Sequence, residues 1–398
     1  MISMISPALA QPPSAPPPAA TADEAGLSPE QVLGKRLFED ATLSEPAGQS
    51  CASCHAPDHA FQGNNGSPIA AVALGSTPDK FGVRKTPTIM YKSYSPPFGF
   101  YKDDDDGKVK LEAKGGQFWD GRGTTLAEQA TGPMLNPLEM NNPSIEAVVA
   151  KVKDGPNADL VKTVFGPDIF DDPKAAMGKL TEALTAFETS PRFAPFSSKF
   201  DDFLRGKAKL SPQEMAGFKL FIDKKKGNCL ACHDGKPESH DPTDWIFTDF
   251  TYDAIGAPRN AAIPANADAS VYDLGLCKQP GLADKLPKTI ALESLCGAFK
   301  VPTLRNIAIT GPYFHNGVFT SLRDAVAFYA TRDTDPKRWY PVAANGKIQK
   351  YDDLPAGYIK NINTDEVPYD RKPGQKPRLN DREIDALVAF LKTLTDKN

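Results

Sequence analysis

The sequence predicts a mainly α-helical protein built from two similar units. Three observations support this fold class: apolar residues recur at helical spacing behind capped helix starts, strand signals are few, and a short cysteine–histidine motif occurs once in each half of the chain. With 398 residues, the chain is long enough for two domains of ordinary size.

The helices can be predicted in chain order. Ser28 is a typical N-cap followed by proline, which predicts a helix over residues 29–40. Residues 211–214 (Ser-Pro-Gln-Glu) repeat this start and add a capping box, which predicts a helix that ends near Gly227. Two further helices are predicted from apolar stripes at Met177, Leu180, Leu184 and Phe187 and at Ile384, Leu387, Val388, Leu391 and Leu394.

The repeated motif has the form C-x-x-C-H. Its two copies consist of Cys51, Cys54 and His55, and of Cys229, Cys232 and His233. Two thiols at this spacing can form thioethers with the two vinyl groups of one porphyrin, and the following histidine can bind the iron. Paired zinc knuckles normally lie within about 20 residues of each other, and a thioredoxin-like site needs no histidine. The sequence therefore predicts two covalent c-type haems, with His55 on the first iron and His233 on the second.

The domain organisation follows from these motifs. Residues 1–25 are predicted to be a signal remnant with a disordered tail rich in proline and alanine, residues 26–200 the first haem domain, and residues 201–398 the second. Residues 234–298 show few periodic signals and are predicted to be long ordered loops. The four aspartates at 103–106 are interpreted as a solvated loop tip.

Composition and termini indicate the compartment. The net charge of −4 gives no support for a nucleic-acid partner, and no apolar run is long enough for a membrane span. Ala8-Leu9-Ala10 fits a signal-peptidase site, although the segment before it is short and lacks a basic start; the alternative is an unstructured tail. Thioether attachment of haem is completed outside the bacterial cytoplasm, so we expect a periplasmic protein whose signal sequence is truncated.

The remaining cysteines and histidines give two further expectations. Cys277 and Cys296 can pair in an oxidising compartment; the alternative is two buried thiols. His59 is close behind His55 and is predicted to be a solvated or locally hydrogen-bonded loop residue, and residues 61–92 contain no histidine. The first haem is therefore predicted to have an open distal face, which favours chemistry with a small ligand.

Several longer motifs carry a family resemblance. They are Leu-Gly-Lys-Arg-Leu-Phe at 33–38, Phe-Trp-Asp-Gly-Arg at 118–122, Glu-Gln-Ala at 128–130, Gly-Pro-Met-Leu-Asn-Pro-Leu-Glu-Met at 132–140, Val-Pro-Thr-Leu-Arg-Asn at 301–306 and Pro-Tyr-Phe-His-Asn-Gly at 312–317. In this combination and order they resemble the bacterial di-haem cytochrome c peroxidase family, from about residue 26 to the C-terminus. The resemblance implies two cytochrome c-like domains, each wrapping one haem.

The resemblance also implies roles for individual residues. Trp119 matches the tryptophan between the two haems, and Glu139 matches the distal acid/base at the peroxide-binding haem, which is the haem of His55. Gln129 and Pro133 match residues of the same distal pocket. The second domain then holds the electron-transfer haem. One positioned carboxyl group could take a proton from bound peroxide and return it to the leaving oxygen.

One departure concerns the sixth ligand of the second haem. The peroxidases proper use a methionine after the 312–317 motif, but the last methionine here is Met215, and Tyr329 stands at the matching position. This resembles the MauG subgroup. A phenolate is a hard anionic donor, and such donors stabilise high-valent iron. The alternatives are Tyr313, Tyr340 or a rearrangement that the sequence does not reveal.

The resulting expectation is a hydrogen peroxide-dependent oxidoreductase that forms a charge-shared bis-ferryl state through Trp119 and oxidises a protein or small donor at a distance. The alternative is a cytochrome c peroxidase that takes electrons from a small cytochrome c or cupredoxin. A pure electron carrier is disfavoured by Glu139 and by the missing distal histidine.

A second departure concerns calcium. Family members hold an interdomain calcium, partly through backbone groups that correspond to Thr310 and Pro312, together with an asparagine. Lys85 stands where that asparagine is expected, and a charged lysine cannot bind calcium. The resemblance therefore leaves calcium binding open, and the charge of Lys85 argues against it.

Overall fold

The structure, a computed structural model, describes residues 21–105 and 108–397 and is mainly helical. Its α-helices are α1 (Pro29–Glu39), α2 (Cys51–Cys54), α3 (Leu126–Leu135), α4 (Ile145–Asp154), α5 (Ala158–Phe165), α6 (Pro173–Glu188), α7 (Lys199–Leu204), α8 (Pro212–Ile222), α9 (Leu282–Lys285), α10 (Leu322–Thr331) and α11 (Asp381–Lys392). Its strands are β1 (Gly99–Asp105), β2 (Lys108–Lys114), β3 (Tyr252–Asp253) and β4 (Phe299–Lys300), which form two antiparallel pairs, β1 with β2 and β3 with β4.

Each unit is organised around one close helix crossing. In the first, α1 crosses α6 at Gly34, where an added Cβ would lie 1.9 Å from the carbonyl oxygen of Ala183. In the second, α8 crosses α11 at Gly217, where an added Cβ would lie 2.0 Å from the carbonyl oxygen of Ala386. Only glycine allows backbones to approach this closely. The two units therefore repeat one architecture.

The apolar residues form two main cores that follow this division. The first core contains Leu33, Leu37, Leu180, Leu184 and Phe187 from the α1–α6 crossing. The second core contains Phe221, Ile384, Leu387 and Phe390 from the α8–α11 crossing, together with Phe200 and Trp245. A third cluster lies under the loops of the second unit and includes the Cys277–Cys296 disulfide, whose Cα atoms are 4.8 Å apart.

The four predicted helices are confirmed as α1, α6, α8 and α11, and their capping explains where they begin. Ser28 and Ser211 accept hydrogen bonds from the N3 backbone amides of α1 and α8, and Gln31 and Glu214 complete the capping boxes. The end of α8 differs from the prediction: the helix stops at Ile222, because a turn over 223–227 leads directly into the second cysteine motif.

Two predicted boundaries need correction. The predicted tail lies outside the described residues up to residue 20, but residues 22–24 already form a helical turn. Glu24 is buried there and bound to Arg36, which lowers its pKa to about 2, so the tail ends before residue 25. The boundary predicted between residues 200 and 201 cuts through α7, which packs with the second core. We therefore place the boundary before Ser198, the N-cap of α7.

The aspartate run at 103–106 is partly in a strand rather than only at a loop tip. Residues 103–105 belong to β1 and face the lysine-rich β2, with Asp103 opposite Lys110. An opposite charge directly across the strands, as at Asp103 and Lys110, favours this pairing. Residues 106 and 107 lie outside the described residues. Within the described part of the chain, no helix is long and apolar enough to cross a membrane.

Candidate active site

The first cysteine motif opens onto a large cavity in the first unit. Cys51 and Cys54 bracket the single turn of α2, and both line this cavity together with His55. The space between its walls is about 1840 Å³, partly open to solvent. In the second unit Cys229, Cys232 and His233 line a cavity of about 1300 Å³. Neither thiol pair is joined as a disulfide.

Both motif histidines are held in the same way. His55 Nδ1 lies 3.0 Å from the carbonyl oxygen of Phe61, and His233 Nδ1 lies 3.1 Å from that of Phe247. A carbonyl oxygen only accepts, so each Nδ1 donates, and the other ring nitrogen, Nε2, keeps its lone pair. Burial lowers the pKa of both imidazoles to about 4, so both are neutral, as a metal ligand must be.

The loops that present these carbonyl groups are also repeated. Phe61 and Phe247 both adopt left-handed backbone conformations, with φ of 51° and 58°. The carbonyl group of the preceding residue is bound in each case by a threonine hydroxyl, at 2.5 Å from Thr88 and 2.6 Å from Thr303. The unusual backbone conformation is therefore secured by the same side-chain contact in both units.

Glu139 lines the first cavity beyond the C-terminus of α3. Asn136 Nδ2 donates to Glu139 Oε1 at 2.8 Å, which orients the carboxyl group. Burial raises its pKa, while the charge of Arg122 and the Asn136 hydrogen bond lower it to a smaller extent. Gln129 and Pro133, both on α3, line the same cavity. The four residues predicted for the distal pocket and for the haem link are thus near the first motif, with Trp119 among them.

Trp119 is placed between the two cavities. Of the described residues that line either cavity, it alone lines both. Its indole Nε1 donates to the carbonyl oxygen of Lys85 at 2.8 Å, and its own carbonyl accepts from the backbone amide of Lys300 at 2.8 Å. The side chain is 8 % exposed, so its position is fixed by packing as well as by both hydrogen bonds.

Tyr329 lies on α10 and lines the second cavity together with His233. The residue is half-buried, and within the described part of the chain no group hydrogen-bonds its hydroxyl. Of the two alternatives, Tyr313 also lines this cavity, whereas the hydroxyl of Tyr340 donates to the carbonyl oxygen of Gly256 at 2.6 Å. Tyr329 and Tyr313 therefore each have a hydroxyl oxygen available in the cavity, and Tyr340 does not.

These features fit a c-type haem in each cavity. Each has two thiols at the right spacing, a neutral histidine whose Nδ1 is already bound to a carbonyl, and space for a large flat group. Within the described residues, no cluster of three or more His, Cys, Asp or Glu side chains offers an alternative metal site.

Comparison with known proteins decides the family. The sequence model of the di-haem cytochrome c peroxidases matches residues 28–209. A methylamine utilization protein MauG from Paracoccus denitrificans is 38% identical over 390 residues, which cover 96% of this chain and 92% of that protein. The chain belongs to the di-haem cytochrome c peroxidase and MauG family. It is therefore an oxidoreductase of a family that carries two haems.

Relatives with different names are similar to this member of the family. The cytochrome c551 peroxidase of Nitrosomonas europaea is 31% identical over 301 residues, covering 74% of this chain and 70% of that protein. Among solved structures, the diheme peroxidase BthA from Burkholderia thailandensis matches with a TM-score of 0.84 and 43% identity, covering 92% of this chain and 86% of that chain. These matches confirm the predicted fold of two cytochrome c-like domains.

Sequence reasoning missed several ionisable residues of the cavities. Lys92 and Glu188 both line the first cavity, where burial lowers the pKa of Lys92 to about 8 and raises that of Glu188 to about 8. Glu188 directly follows the apolar stripe of α6, so helical spacing could have placed it near the core. Tyr369 lines the second cavity with its ring centre 5.8 Å from that of Tyr329, and no sequence pattern marked it.

One of the two residues expected to bind the family's calcium, Thr310, has another contact. Lys85 is buried, and its Nζ donates to the carbonyl oxygen of Thr310. Burial, together with the charge of Lys92, lowers the pKa of Lys85 to about 7. His59 is exposed and its ring nitrogen lies 2.9 Å from Asp58, as expected for a loop residue.

Proposed function

We propose that this protein is a hydrogen peroxide-dependent oxidoreductase of the MauG type, which shares an oxidising equivalent between its two haem sites through Trp119 and oxidises a protein or small donor at a distance. The observation that carries this proposal is the unpartnered hydroxyl of Tyr329 in the cavity of His233. A phenol at this position distinguishes the proposal from a peroxidase with a methionine ligand.

In the first cavity the protein would hold its haem through Cys51, Cys54 and His55. When bound, the two haems supply the redox chemistry, namely reduction of peroxide and storage of oxidising equivalents. Glu139 would accept and return the peroxide proton, and Asn136 keeps its carboxyl group in a fixed orientation. The raised pKa of Glu139 suits such a role, because a proton is then held and released closer to neutral pH.

Between the cavities Trp119 would carry the oxidising equivalent. Its two backbone hydrogen bonds and its burial hold the indole in one orientation, which keeps the distance between the two sites constant. In the second cavity Cys229, Cys232 and His233 would hold the other haem, and Tyr329 would give an anionic oxygen to its iron. Hard anionic donors favour the higher oxidation state of iron, so the second site is suited to hold an oxidising equivalent.

Three substitutions test this proposal. Tyr329→Phe keeps the ring and removes the oxygen, so the second iron should lose its sixth ligand and its spectrum should change. Trp119→Phe should leave both ligand sets intact and slow the sharing between sites. Tyr340→Phe is the matched control, because that hydroxyl is already bound to Gly256 and does not face the cavity.

The measurements are Mössbauer spectra of ⁵⁷Fe-labelled protein before and after one equivalent of peroxide. In the wild type both irons should be oxidised by one electron each, and in Tyr329→Phe only the first should change. If Tyr329→Phe leaves the second iron's spectrum and potential unchanged, the MauG-type proposal is wrong. Oxidation confined to one iron in the wild type, with rapid turnover of a small reduced cytochrome, would favour the cytochrome c peroxidase function instead.

We also propose a periplasmic location and a protein partner. Both follow from the family and from the c-type haem motifs, since thioether attachment is completed outside the bacterial cytoplasm. Cell fractionation of the native host would test the location, and cross-linking in the periplasmic fraction would test the partner.

A further inference from the structure

Lys85 connects both units through three separate polar groups. Its backbone amide donates to the carbonyl oxygen of His315 at 2.7 Å, and its own carbonyl accepts the indole proton of Trp119 at 2.8 Å. Its side-chain Nζ donates to the carbonyl oxygen of Thr310. The residue is 6 % exposed, so all three contacts are shielded from water. One residue thus fixes the bridging indole against a loop of the second unit.

The Thr310 carbonyl is the group that calcium would need. A calcium ion requires six to eight oxygen ligands with lone pairs directed at it from about 2.3–2.6 Å. The Lys85 amine already donates a hydrogen bond to this oxygen. The next carbonyl, that of Gly311, accepts a hydrogen bond from the Gln62 side-chain amide nitrogen at 3.1 Å. In the same orientation the Gln62 side-chain oxygen accepts from the backbone amide of Gly63. Two successive carbonyl groups therefore have protein donors.

Two carboxylates beside Arg84, the residue before Lys85, are also engaged. Arg84 binds Asp273 through two nitrogens at 2.6 and 2.7 Å, and it binds Asp120 through the third at 2.7 Å. Calcium sites in proteins depend on such carboxylates being free to bind the ion. The residues present here therefore do not fit calcium.

We propose that Lys85 replaces the family's interdomain calcium, with its side chain binding the Thr310 loop while its backbone positions Trp119. In place of a calcium ion held by several ligands, this protein would use the amine of Lys85, which is part of the chain. Coupling between the two haem sites in this protein should then be independent of calcium and insensitive to chelators. Lys85 acts through Trp119 and is a positioning residue rather than a catalytic one.

The first experiment tests calcium itself on the wild-type di-haem protein. We expect no stoichiometric calcium by elemental analysis after purification in calcium-containing buffer. EGTA and added calcium should both leave the resting spectrum, the melting temperature and the peroxide reaction unchanged. Because an ion that binds the folded state raises its stability by mass action, a calcium-dependent rise in melting temperature would overturn the proposal. So would a loss of coupling in EGTA.

The second experiment tests the positioning role with Lys85→Met, which keeps the length of the side chain and removes its donors. The reaction of peroxide at the first haem should stay within about twofold, while oxidation of the second iron should slow about tenfold or more, since small displacements of a positioned group have effects of this size. Lys35→Met is the control, because Lys35 is equally buried, binds Glu39 and lies in α1 away from both cavities.

The outcomes separate positioning from stability. Both variants should lower the melting temperature, but only Lys85→Met should separate the two rates. Equal slowing of both steps, or no slowing at all, would reject the positioning role. The coupling measurement rests on the proposed function, whereas the calcium measurement does not. If Trp119→Phe leaves coupling intact, the proposed function fails while the calcium experiment still decides the role of Lys85.

Discussion

The two haem cavities share one histidine side and differ in their other walls. In both, a motif histidine donates to the carbonyl of a left-handed phenylalanine, and a threonine secures the residue before it. The first cavity then adds Glu139 to its lining, whereas the second adds Tyr329. The histidine sides are alike because covalent attachment would require the same geometry in both cavities, with two thiols and one histidine placed around a single porphyrin. The remaining walls are free to differ, and there the two sites acquire separate chemistry.

The comparison also indicates where the proposed coupling would occur. Trp119 lines both cavities and is held by backbone groups of Lys85 and Lys300, so it belongs to neither repeat alone. Duplication of the histidine side alone would give two equivalent cavities without a residue that lines both. The two cavities therefore differ from a simple duplication in two ways. Their other walls differ, and one residue, Trp119, lines both.

The largest expected effect tests whether the two motifs are equivalent. Cys54→Ser and Cys232→Ser should each remove most of the stable attachment of one haem, because one of its two thioethers is lost. Haem per chain after acid–acetone extraction, with mass spectrometry of the denatured protein, measures this. A wild type with one covalent haem would contradict the repeat.

The double variant Cys277→Ser/Cys296→Ser should keep both haems and lose about 3 kcal/mol of stability, the typical contribution of one disulfide.

A second prediction tests the wall that is specific to the first cavity. Glu139→Gln should slow the reaction with peroxide about 10²-fold or more, which is the usual contribution of general acid–base catalysis. Stopped-flow absorbance measures the rate. Glu182→Gln is the control, since Glu182 lies on the surface, where its carboxylate binds Lys179. The proximal ligands of both haems should keep their spectra, and an unimpaired rate would show that Glu139 does not move the proton.

The pH dependence sharpens the same prediction. Burial raises the pKa of Glu139, so its carboxylate form, which accepts a proton, becomes populated only at higher pH than for an exposed glutamate. The wild-type rate should therefore rise with pH through this raised pKa. Glu139→Gln should lose that limb of the profile, and a variant that keeps it would assign the limb to another group.

Particular residues show how far the sequence could predict this molecule. The motifs and the capped helices were readable because covalent attachment, capping and helical periodicity each leave a local pattern, whereas Tyr329 was singled out only by the family resemblance. Other wall residues were not readable, because Lys92 in the first cavity and Tyr369 in the second are brought to their sites by packing between distant segments. The opposition of Lys85 to calcium was readable from its charge, whereas its contact with Thr310 required the fold.

The smallest expected effect tests whether the two units repeat at their helix crossings. Gly34→Ala and Gly217→Ala should destabilise the protein to a similar extent, about 1–3 kcal/mol each, which is typical of overpacking a close contact. The physical reason is the same in both units, because the new methyl group would meet a backbone carbonyl at 1.9 or 2.0 Å. Gly178→Ala is the matched control in α6, where an added Cβ meets nothing within 4 Å. That change should stabilise the protein by about 0.5–1 kcal/mol, since alanine loses less conformational entropy in a helix. Thermal unfolding of the di-haem protein measures all three. If Gly34→Ala is costly and Gly217→Ala is neutral, the α8–α11 crossing can relax where the α1–α6 crossing cannot, and the two cradles would differ in rigidity as well as in their walls.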